Sequence, residues 1–235
     1  MKYSPIIILV FSLFACSKSN HTEQLISGEA QGTTYTVKYL GEANPHLKSA
    51  LDSVLLEIDK SMSTYRQNSK ISELNEGNKI YIDNKFLSVF KRSKEINQLT
   101  NGAFDPTIGP IISAWGFNFE NPMKLDSFLV DSLKQLCGFR YFKVQGNEIS
   151  KLKAESSLNF NAIAQGYSVD LMANELDKKG ISNYYVELGG ELKVKGKNKE
   201  GEFWRIGIDK PVGDNLDRKL SHIISLENKS MATSG

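Results

Sequence analysis

Apolar side chains recur every three or four residues in three long stretches of the chain. Residues spaced in this way lie on one face of an α-helix, so each stretch is predicted to form an amphipathic helix. The apolar positions are Leu47, Leu51, Val54, Leu55, Ile58 and Met62, then Phe86, Val89, Phe90 and Ile96, and finally Val169, Met172, Ala173 and Leu176. The third helix is predicted over 166–180, and shorter helices over 69–75 and 125–136.

Runs of β-branched and aromatic residues, bounded by turn residues, occur between these helices and predict strands. The predicted strands lie in 25–40 (interrupted at Gly28 and Gly32), 141–144, 148–152, 184–186, 191–195, 204–208 and 220–226. The pair Gly146-Asn147 predicts a hairpin turn. Because the strands come largely in neighbouring pairs, this order favours an α+β fold with a mixed, mostly antiparallel sheet over a doubly wound parallel sheet.

The first residues have the pattern of an export signal. An apolar run over 6–14 is too short to cross a bilayer, which takes roughly 20 residues. Ala15-Cys16 follows this run. A small residue directly before a cysteine resembles the bacterial lipoprotein signal, and a plain signal peptide is the alternative. We therefore expect an exported lipoprotein, anchored on the periplasmic side of a bacterial membrane through acylated Cys16. The expected division is a signal over 1–16, a tether over 17–24 and a folded domain over 25–235.

Composition and motifs exclude several classes of function. With 29 basic and 27 acidic residues, the chain lacks the charge excess of a general nucleic-acid-binding surface. It contains neither a P-loop nor a Rossmann glycine motif, and neither C-x-x-C nor H-E-x-x-H. Its three histidines are scattered, which gives a histidine-based catalytic triad little support. Cys137 is the only cysteine besides Cys16, so no internal disulfide is expected.

Three corners rich in glycine or proline combine rigid geometry with polar side chains: 102–110, 158–167 and 188–190. In the second, the small residues Ala162 and Gly166 leave room for a large ligand, and a helix start offers free N–H groups to a phosphate. Each corner also has a purely structural reading as a turn or a cap.

An aromatic side chain adds a second feature to these corners. Tyr65 lies in a loop between two predicted helices, where it could stack on a planar ring or simply cover an edge of the core. Glycine corners suit phosphate oxygens and aromatics suit rings. A nucleotide ligand would use both.

Taken together, these segments resemble the ApbE family, the exported FAD:protein FMN transferases. The resemblance runs in family order from about Gly28 to the last residue. It is carried by residues 31–35, 62–65 with 69–75, 100–107, 158–170, 187–192 and 232–235, which read QGTTY, MSTY with SKISELN, TNGAFDPT, LNFNAIAQGYSVD, ELGGEL and ATSG.

The resemblance implies an ApbE or T-fold-like domain and a Mg²⁺-dependent reaction. Members of the family transfer FMN from FAD to a threonine hydroxyl of a target protein through a phosphoester bond and release AMP. Their usual acceptors are subunits of membrane redox pumps. The resemblance also implies partners: FAD, an acceptor protein and a membrane, with no nucleic acid.

The resemblance also implies the site residues. Gln31 stands where methionine is usual, Asn159 where aspartate is common and Gln165 where lysine is frequent. The implied contacts to FAD are Gln31, Tyr65, Ala103, Phe104, Asp105, Asn159 and Gln165, and the implied metal ligand is the main-chain oxygen of Ala162. No catalytic residue is assigned.

The chain departs from the family at its C-terminus. Members continue beyond Thr233-Ser234-Gly235 with a His-Ile-x-Asp-Pro-x-Thr-Gly stretch and an Asp-Ala-x-x-Thr stretch that supply metal ligands, and neither is present here. We therefore expect a single domain lacking its C-terminal part. Two alternatives to the transferase stay open: an FAD pyrophosphatase that yields FMN and AMP, and a non-catalytic flavin-binding lipoprotein.

Overall fold

A computed structural model describes residues 22–117, 121–210 and 219–233. Cys16, the expected signal and most of the expected tether lie outside these residues, as do Ser234 and Gly235. The helices are α1 (Leu47–Met62), α2 (Lys70–Glu76), α3 (Asn84–Leu99), α4 (Gly109–Ala114), α5 (Ser127–Lys134) and α6 (Asn161–Lys178), with one 3₁₀ turn at Phe139–Tyr141. The strands are β1 (Glu23–Ala30), β2 (Thr33–Leu40), β3 (Lys79–Tyr81), β4 (Phe142–Gln145), β5 (Glu148–Lys151), β6 (Tyr184–Leu188), β7 (Glu191–Lys195), β8 (Trp204–Asp209), β9 (Leu220–Leu226) and β10 (Lys229–Met231).

The main sheet is antiparallel, with strand order β1-β2-β6-β7-β10. Paired residues of neighbouring strands point to the same face. One face carries the alternate apolar side chains of β2 and β6, and α1 and α6 cover it to form the first core. The buried side chains of that face are Tyr35, Val37, Tyr39, Tyr184, Val186 and Leu188.

The hairpin of β8 and β9 covers part of the opposite face. Trp204 of β8 lies against Tyr185 of β6, with ring centroids 6.0 Å apart. Leu192 and Val194 of β7 complete this smaller cluster. The main sheet is therefore sandwiched between helices and a hairpin, and the fold is the expected α+β type with mostly antiparallel strands.

A second core lies between α1, α2, α3 and a three-stranded antiparallel sheet of order β3-β5-β4. Phe86 of α3 and Phe160 are both fully buried in it and meet edge to face, with ring centroids 5.2 Å apart. Phe160 directly precedes α6. The second core thereby helps to fix the point at which α6, the longest of the described helices, begins.

The predicted strand break at Gly28 is wrong. Gly28 lies inside β1 opposite Tyr35, and a Cβ at this position would come within 2.6 Å of the Tyr35 ring. The glycine therefore makes room for an aromatic side chain. The real turn is at Gln31-Gly32, where both residues have positive φ, 53° and 74°.

The predicted start of the third long helix is also wrong, because α6 begins at Asn161 instead of residue 166. The side chain of Asn159 accepts a hydrogen bond from the Asn161 N–H (2.9 Å), and alanine-rich sequence favours helix directly after it. The preceding residues form no strand, and one parallel bridge joins Ser157 to Ile108.

Across the described ranges, no helix has both the length and the apolar character needed to span a bilayer.

Candidate functional site

A cavity of about 580 Å³ opens beside the first turns of α6. Its walls come from the β1–β2 turn, the end of α1 and the loop that follows α1. Three residues named from the sequence line it: Gln31, Tyr65 and Gln165. Asp59 and Arg66 line it as well.

A second cavity of about 410 Å³ has Asn161 and Gln165 in common with the first. Ala162 and Gly166 line it from α6, and Glu191 lines it from β7. We call the two cavities together the groove. Its size falls within the range of small-molecule sites, and its two halves meet at the N-terminal end of a helix.

The turn between β1 and β2 is joined to α6 by hydrogen bonds. Gln31 Nε2 donates to Ser168 Oγ (2.8 Å), and Ser168 Oγ donates to the carbonyl of Ala164 one turn earlier (2.8 Å). Ser168 is fully buried. This chain of hydrogen bonds fixes the side chain of Gln31 at the wall of the groove.

The corner at 188–190 lines neither cavity but lies against Gln165, which lines both. Gly189 and Gly190 have φ values of 60° and 103°, which favour glycine, and a Cβ on Gly189 would lie 3.2 Å from Gln165 Nε2. The Gly190 N–H donates to Glu187 Oε1 (2.9 Å), and Thr233 Oγ1 donates to the Gly190 carbonyl (3.1 Å). The tight turn therefore lies beside α6, and the last described residues return to it.

Asn159 is only 5% exposed and lies two residues before Asn161, which lines both cavities. Its Oδ1 accepts the Asn161 N–H, whereas its Nδ2 has no hydrogen-bond partner among the described residues. A buried polar group without a partner costs free energy, and such groups in native proteins call for an explanation. Asn159 itself lines neither cavity, so its contact with a ligand stays a prediction.

The corner at 102–110 lines neither cavity. Asp105 Oδ1 accepts from the Thr107 N–H (2.9 Å) and from Thr107 Oγ1 (2.6 Å), the pattern of an Asx turn. Ala103 is exposed, and Phe104 and Asp105 are half-buried. The corner nevertheless lies next to the site, because the Asn159 N–H donates to the carbonyl of Pro106 (2.8 Å). Ligand contacts at 103–105 remain a prediction.

The second cavity contains two carboxylates in different environments. Asp170 forms an ion pair with Lys193 (2.7 Å). Glu191 has one buried oxygen without a partner in the part of the chain that the structure describes, and burial raises the pKa of its carboxyl. Glu191 would gain most from a bound cation, because its charge is the one left uncompensated.

No cluster of three or more histidine, cysteine, aspartate or glutamate residues is found within 22–117, 121–210 and 219–233. A metal ion in the groove would therefore take ligands from main-chain oxygens, from one or two carboxylates and from the substrate. Mg²⁺ is commonly bound in this way, through few protein ligands together with phosphate oxygens and water.

Two acidic residues of the groove, Asp59 and Glu191, could not be named from the sequence. Asp59 lies in the last turn of α1, where the helix dipole disfavours a negative charge, and that unfavourable position was a usable signal. Glu191 follows the recognised Gly189-Gly190 pair directly, but its burial depends on how β7 packs beside α6. Only the fold could reveal it.

Replacing Asp59 with asparagine is expected to stabilise the ligand-free protein at neutral pH. Burial raises the pKa of Asp59 above its ordinary 3.8, and the charge of Arg66 offsets part of this effect. The folded state therefore keeps the proton at a pH where the unfolded chain has lost it, and stability falls as pH rises through that window. The expected gain at pH 7 is under about 1 kcal/mol, because solvent screens a half-buried group.

Urea denaturation of both proteins between pH 3.5 and pH 8 measures this difference. The difference should shrink as the pH falls through 3.8, because the unfolded chain then also binds the proton. Asp131→Asn, on the exposed surface of α5, is the control and should show no such gain. A gain of equal size at every pH would contradict the assignment to Asp59 ionisation.

Comparison with known proteins supplies the family. The ApbE family model matches residues 31–235. Among curated proteins, the FAD:protein FMN transferase of Vibrio cholerae serotype O1 is 36% identical over 234 residues, covering 95% of this chain and 69% of that protein. The FAD:protein FMN transferase of Haemophilus influenzae is 32% identical over 254 residues, covering 97% and 70%.

Solved structures agree with the sequence comparison. The flavin transferase ApbE from Vibrio cholerae superimposes with a TM-score of 0.82 at 33% identity, covering 92% of this chain and 72% of that one. The apo form of the Pseudomonas stutzeri flavinyl transferase ApbE gives a TM-score of 0.77 at 29% identity, covering 88% and 67%. With a family model that matches most of its length, this chain belongs to the ApbE family.

Proposed function

We propose that this protein is a flavin transferase that moves FMN from FAD to a threonine hydroxyl of a target protein and releases AMP. The observation that carries the proposal is the groove itself, whose two cavities meet at the first turn of α6. FAD has two ring systems joined by a diphosphate. Such a ligand fits two cavities with a helix N-terminus between them, because free N–H groups and the helix dipole favour phosphate there.

The residues of the groove suggest how FAD is bound. Tyr65 offers an aromatic face in the first cavity. Asn159 lines neither cavity, but its unpaired Nδ2 lies two residues before the wall that they share, so a small shift of this segment on binding would let it donate to a diphosphate or ribose oxygen. Gln31 and Gln165 add neutral amides, so they bind by hydrogen bonding without adding charge.

The reaction is a substitution at phosphorus. The threonine Oγ forms a bond to the phosphorus on the FMN side of FAD, and the bond from that phosphorus to the bridging oxygen breaks. AMP leaves with the bridging oxygen, and the hydroxyl proton passes to solvent. The groove contributes by holding the diphosphate in one orientation, which brings the attacking and leaving oxygens into line.

The residues present fit a magnesium ion in the second cavity. Ala162, in the first turn of α6, offers a main-chain oxygen, and the unpaired oxygen of Glu191 offers a carboxylate ligand. When bound, Mg²⁺ would neutralise charge on the diphosphate. Both residues line the second cavity, and Ala162 lies in the first turn of α6, where the diphosphate is proposed to lie.

We also propose the cellular setting that the N-terminal pattern predicts. Residues 1–16 would direct export, acylated Cys16 would anchor the protein on the periplasmic side of a bacterial membrane, and 17–24 would link the anchor to the domain at 25–235. The acceptor would then be a membrane-bound protein, such as a redox pump subunit, that presents a threonine on the same side.

A single assay tests the function. The protein without its lipid is mixed with FAD, Mg²⁺ and an acceptor domain that carries a target threonine, and the acceptor is weighed by mass spectrometry. A mass gain equal to FMN, with AMP released, supports the proposal. A parallel reaction with a chelator in place of Mg²⁺ should show no gain.

Each other outcome supports one of the alternatives. Free FMN and AMP without a mass gain would identify an FAD pyrophosphatase, in which water replaces the threonine. Intact FAD that stays bound would identify a flavin-binding protein without this activity. An acceptor whose threonine is replaced by valine is the control for the site of attachment.

Replacing Gly166 with alanine should stabilise the protein but weaken FAD binding. Gly166 lies within α6 at the wall of the second cavity, and nothing lies within 4 Å of the position that its Cβ would take. Alanine favours a helix over glycine by about 1 kcal/mol, so the melting temperature should rise. A methyl group that faces bound FAD should weaken its binding by about tenfold, equivalent to about 1.4 kcal/mol.

Thermal unfolding and FAD titration measure the two effects separately. Ser53→Ala, on the exposed face of α1, is the control because it also favours helix and lies outside the groove. It should leave FAD affinity unchanged. Unaltered FAD affinity in Gly166→Ala would place the ligand away from this turn of α6.

A further inference from the structure

One side chain gives the segment before α6 the hydrogen bonds that a neighbouring strand would normally supply. Asn75 Nδ2 donates to the carbonyl of Leu158 (2.9 Å), and the Leu158 N–H donates to Asn75 Oδ1 (2.8 Å). Leu158 is buried and belongs to no strand. Because one amide satisfies both of its main-chain polar groups, Asn75 takes the place of a strand partner.

Asn75 is itself held in place. It lies in the last turn of α2, and its main-chain carbonyl accepts a hydrogen bond from Lys151 Nζ (2.7 Å). Lys151 Nζ also donates to the carbonyl of Ala154 (2.6 Å), and Lys151 is only 8% exposed. Leu74, the neighbour of Asn75, is fully buried in the second core. The amide therefore has little freedom to follow Leu158 if that residue moves.

The segment that Asn75 holds leads directly into the groove. Leu158 and Phe160 are buried in the second core, and Asn159 lies between them. Asn159 in turn accepts the Asn161 N–H, and Asn161 lines both cavities. A shift at Leu158 would therefore move both the free amide of Asn159 and the first turn of α6.

We infer that Asn75 is a positioning residue of the groove, which sets the place of Asn159 and of the start of α6 without lining either cavity; this rests on the proposed binding of FAD. A rigid connection of this kind matters because a site displaced by about 1 Å can lose much of its function. The connection joins positions 83 residues apart in the chain.

The test compares two asparagine substitutions that remove side-chain hydrogen bonds to the main chain of another segment, two bonds at Asn75 and one at Asn183. Asn75→Ala removes the bonds to Leu158. Asn183→Ala removes the bond from the Lys197 N–H to Asn183 Oδ1 (2.8 Å), outside the groove, and serves as the matched control. The measurements are the dissociation constant for FAD, the melting temperature, and amide hydrogen exchange over residues 157–161.

Asn75→Ala should weaken FAD binding at least tenfold and speed exchange over 157–161, at a temperature where the protein is folded. Asn183→Ala should bind FAD within twofold of the unmodified protein. Asn75→Asp keeps the size of the side chain and the acceptor for the Leu158 N–H but loses the donor to its carbonyl, so it should also weaken binding. It provides the test if Asn75→Ala fails to fold.

Folded Asn75 variants that bind FAD within twofold of the unmodified protein would overturn the inference while leaving the proposed function intact. Weakened binding of equal size in Asn183→Ala would overturn it too, because the effect would then follow from general destabilisation. Failure of the unmodified protein to bind FAD would instead reject the proposed function, and this inference with it.

Discussion

Replacing Phe160 with alanine is expected to lower the free energy of unfolding by about 3–5 kcal/mol, the usual cost of truncating a buried aromatic side chain. Phe160 has 0% exposure and meets Phe86 edge to face in the second core. It also directly precedes α6, so the cavity left by its ring would loosen the start of that helix. FAD binding should therefore weaken along with stability.

Urea denaturation and FAD titration test both parts of this prediction. Phe128→Ala is the matched control, because Phe128 is 81% exposed and should cost less than about 0.5 kcal/mol. Phe160→Leu, which refills part of the space, should recover some stability and some FAD affinity. Loss of stability without any loss of affinity would show that the second core does not position α6 for the ligand.

Replacing Gly109 with alanine is expected to cost about 1–3 kcal/mol and to impair the groove. A Cβ at Gly109 would come within 2.8 Å of the main-chain carbon and oxygen of Ser157. Main-chain atoms cannot rotate away as a flexible side chain can, so the corner at 102–110 would have to separate from 157–159. That movement would strain the hydrogen bond from the Asn159 N–H to the Pro106 carbonyl.

The companion measurement is Gly166→Ala, in which a glycine with open space around it is replaced in the same way. The two alanine variants should change the melting temperature in opposite directions. If Gly109→Ala melts at the same temperature as the unmodified protein, the close contact between the two corners is not maintained in solution.

Most of the fold could be predicted from local patterns. The apolar spacing of α1 and α3 identified both helices, because each buries one continuous face. Turn residues located the β4–β5 hairpin at Gly146-Asn147. The role of Gly28 could not be predicted, because it depends on a ring that lies opposite on the next strand. The early start of α6 could not be predicted either, since it depends on the burial of Phe160 in the second core as well as on the side-chain bond from Asn159.

The candidate site, too, could be predicted only in part from the sequence. Gln31, Tyr65 and Gln165 were named from family resemblance, and the fold brings all three to one cavity. Asp105 was named in the same way, but it lines neither cavity and its carboxylate is engaged in its own turn. Asp59 was not named: its unfavourable position in the last turn of α1 was a local signal, but no short motif shows that the end of α1 meets the start of α6.

The shape of the groove has a consequence for inhibitor design. Its two cavities are separate yet have Asn161 and Gln165 in common. Two weakly binding fragments, one for each cavity, could therefore be joined by a short linker that crosses these residues. Linking makes the second binding event intramolecular, so affinity can rise by about a hundredfold or more without any new contact.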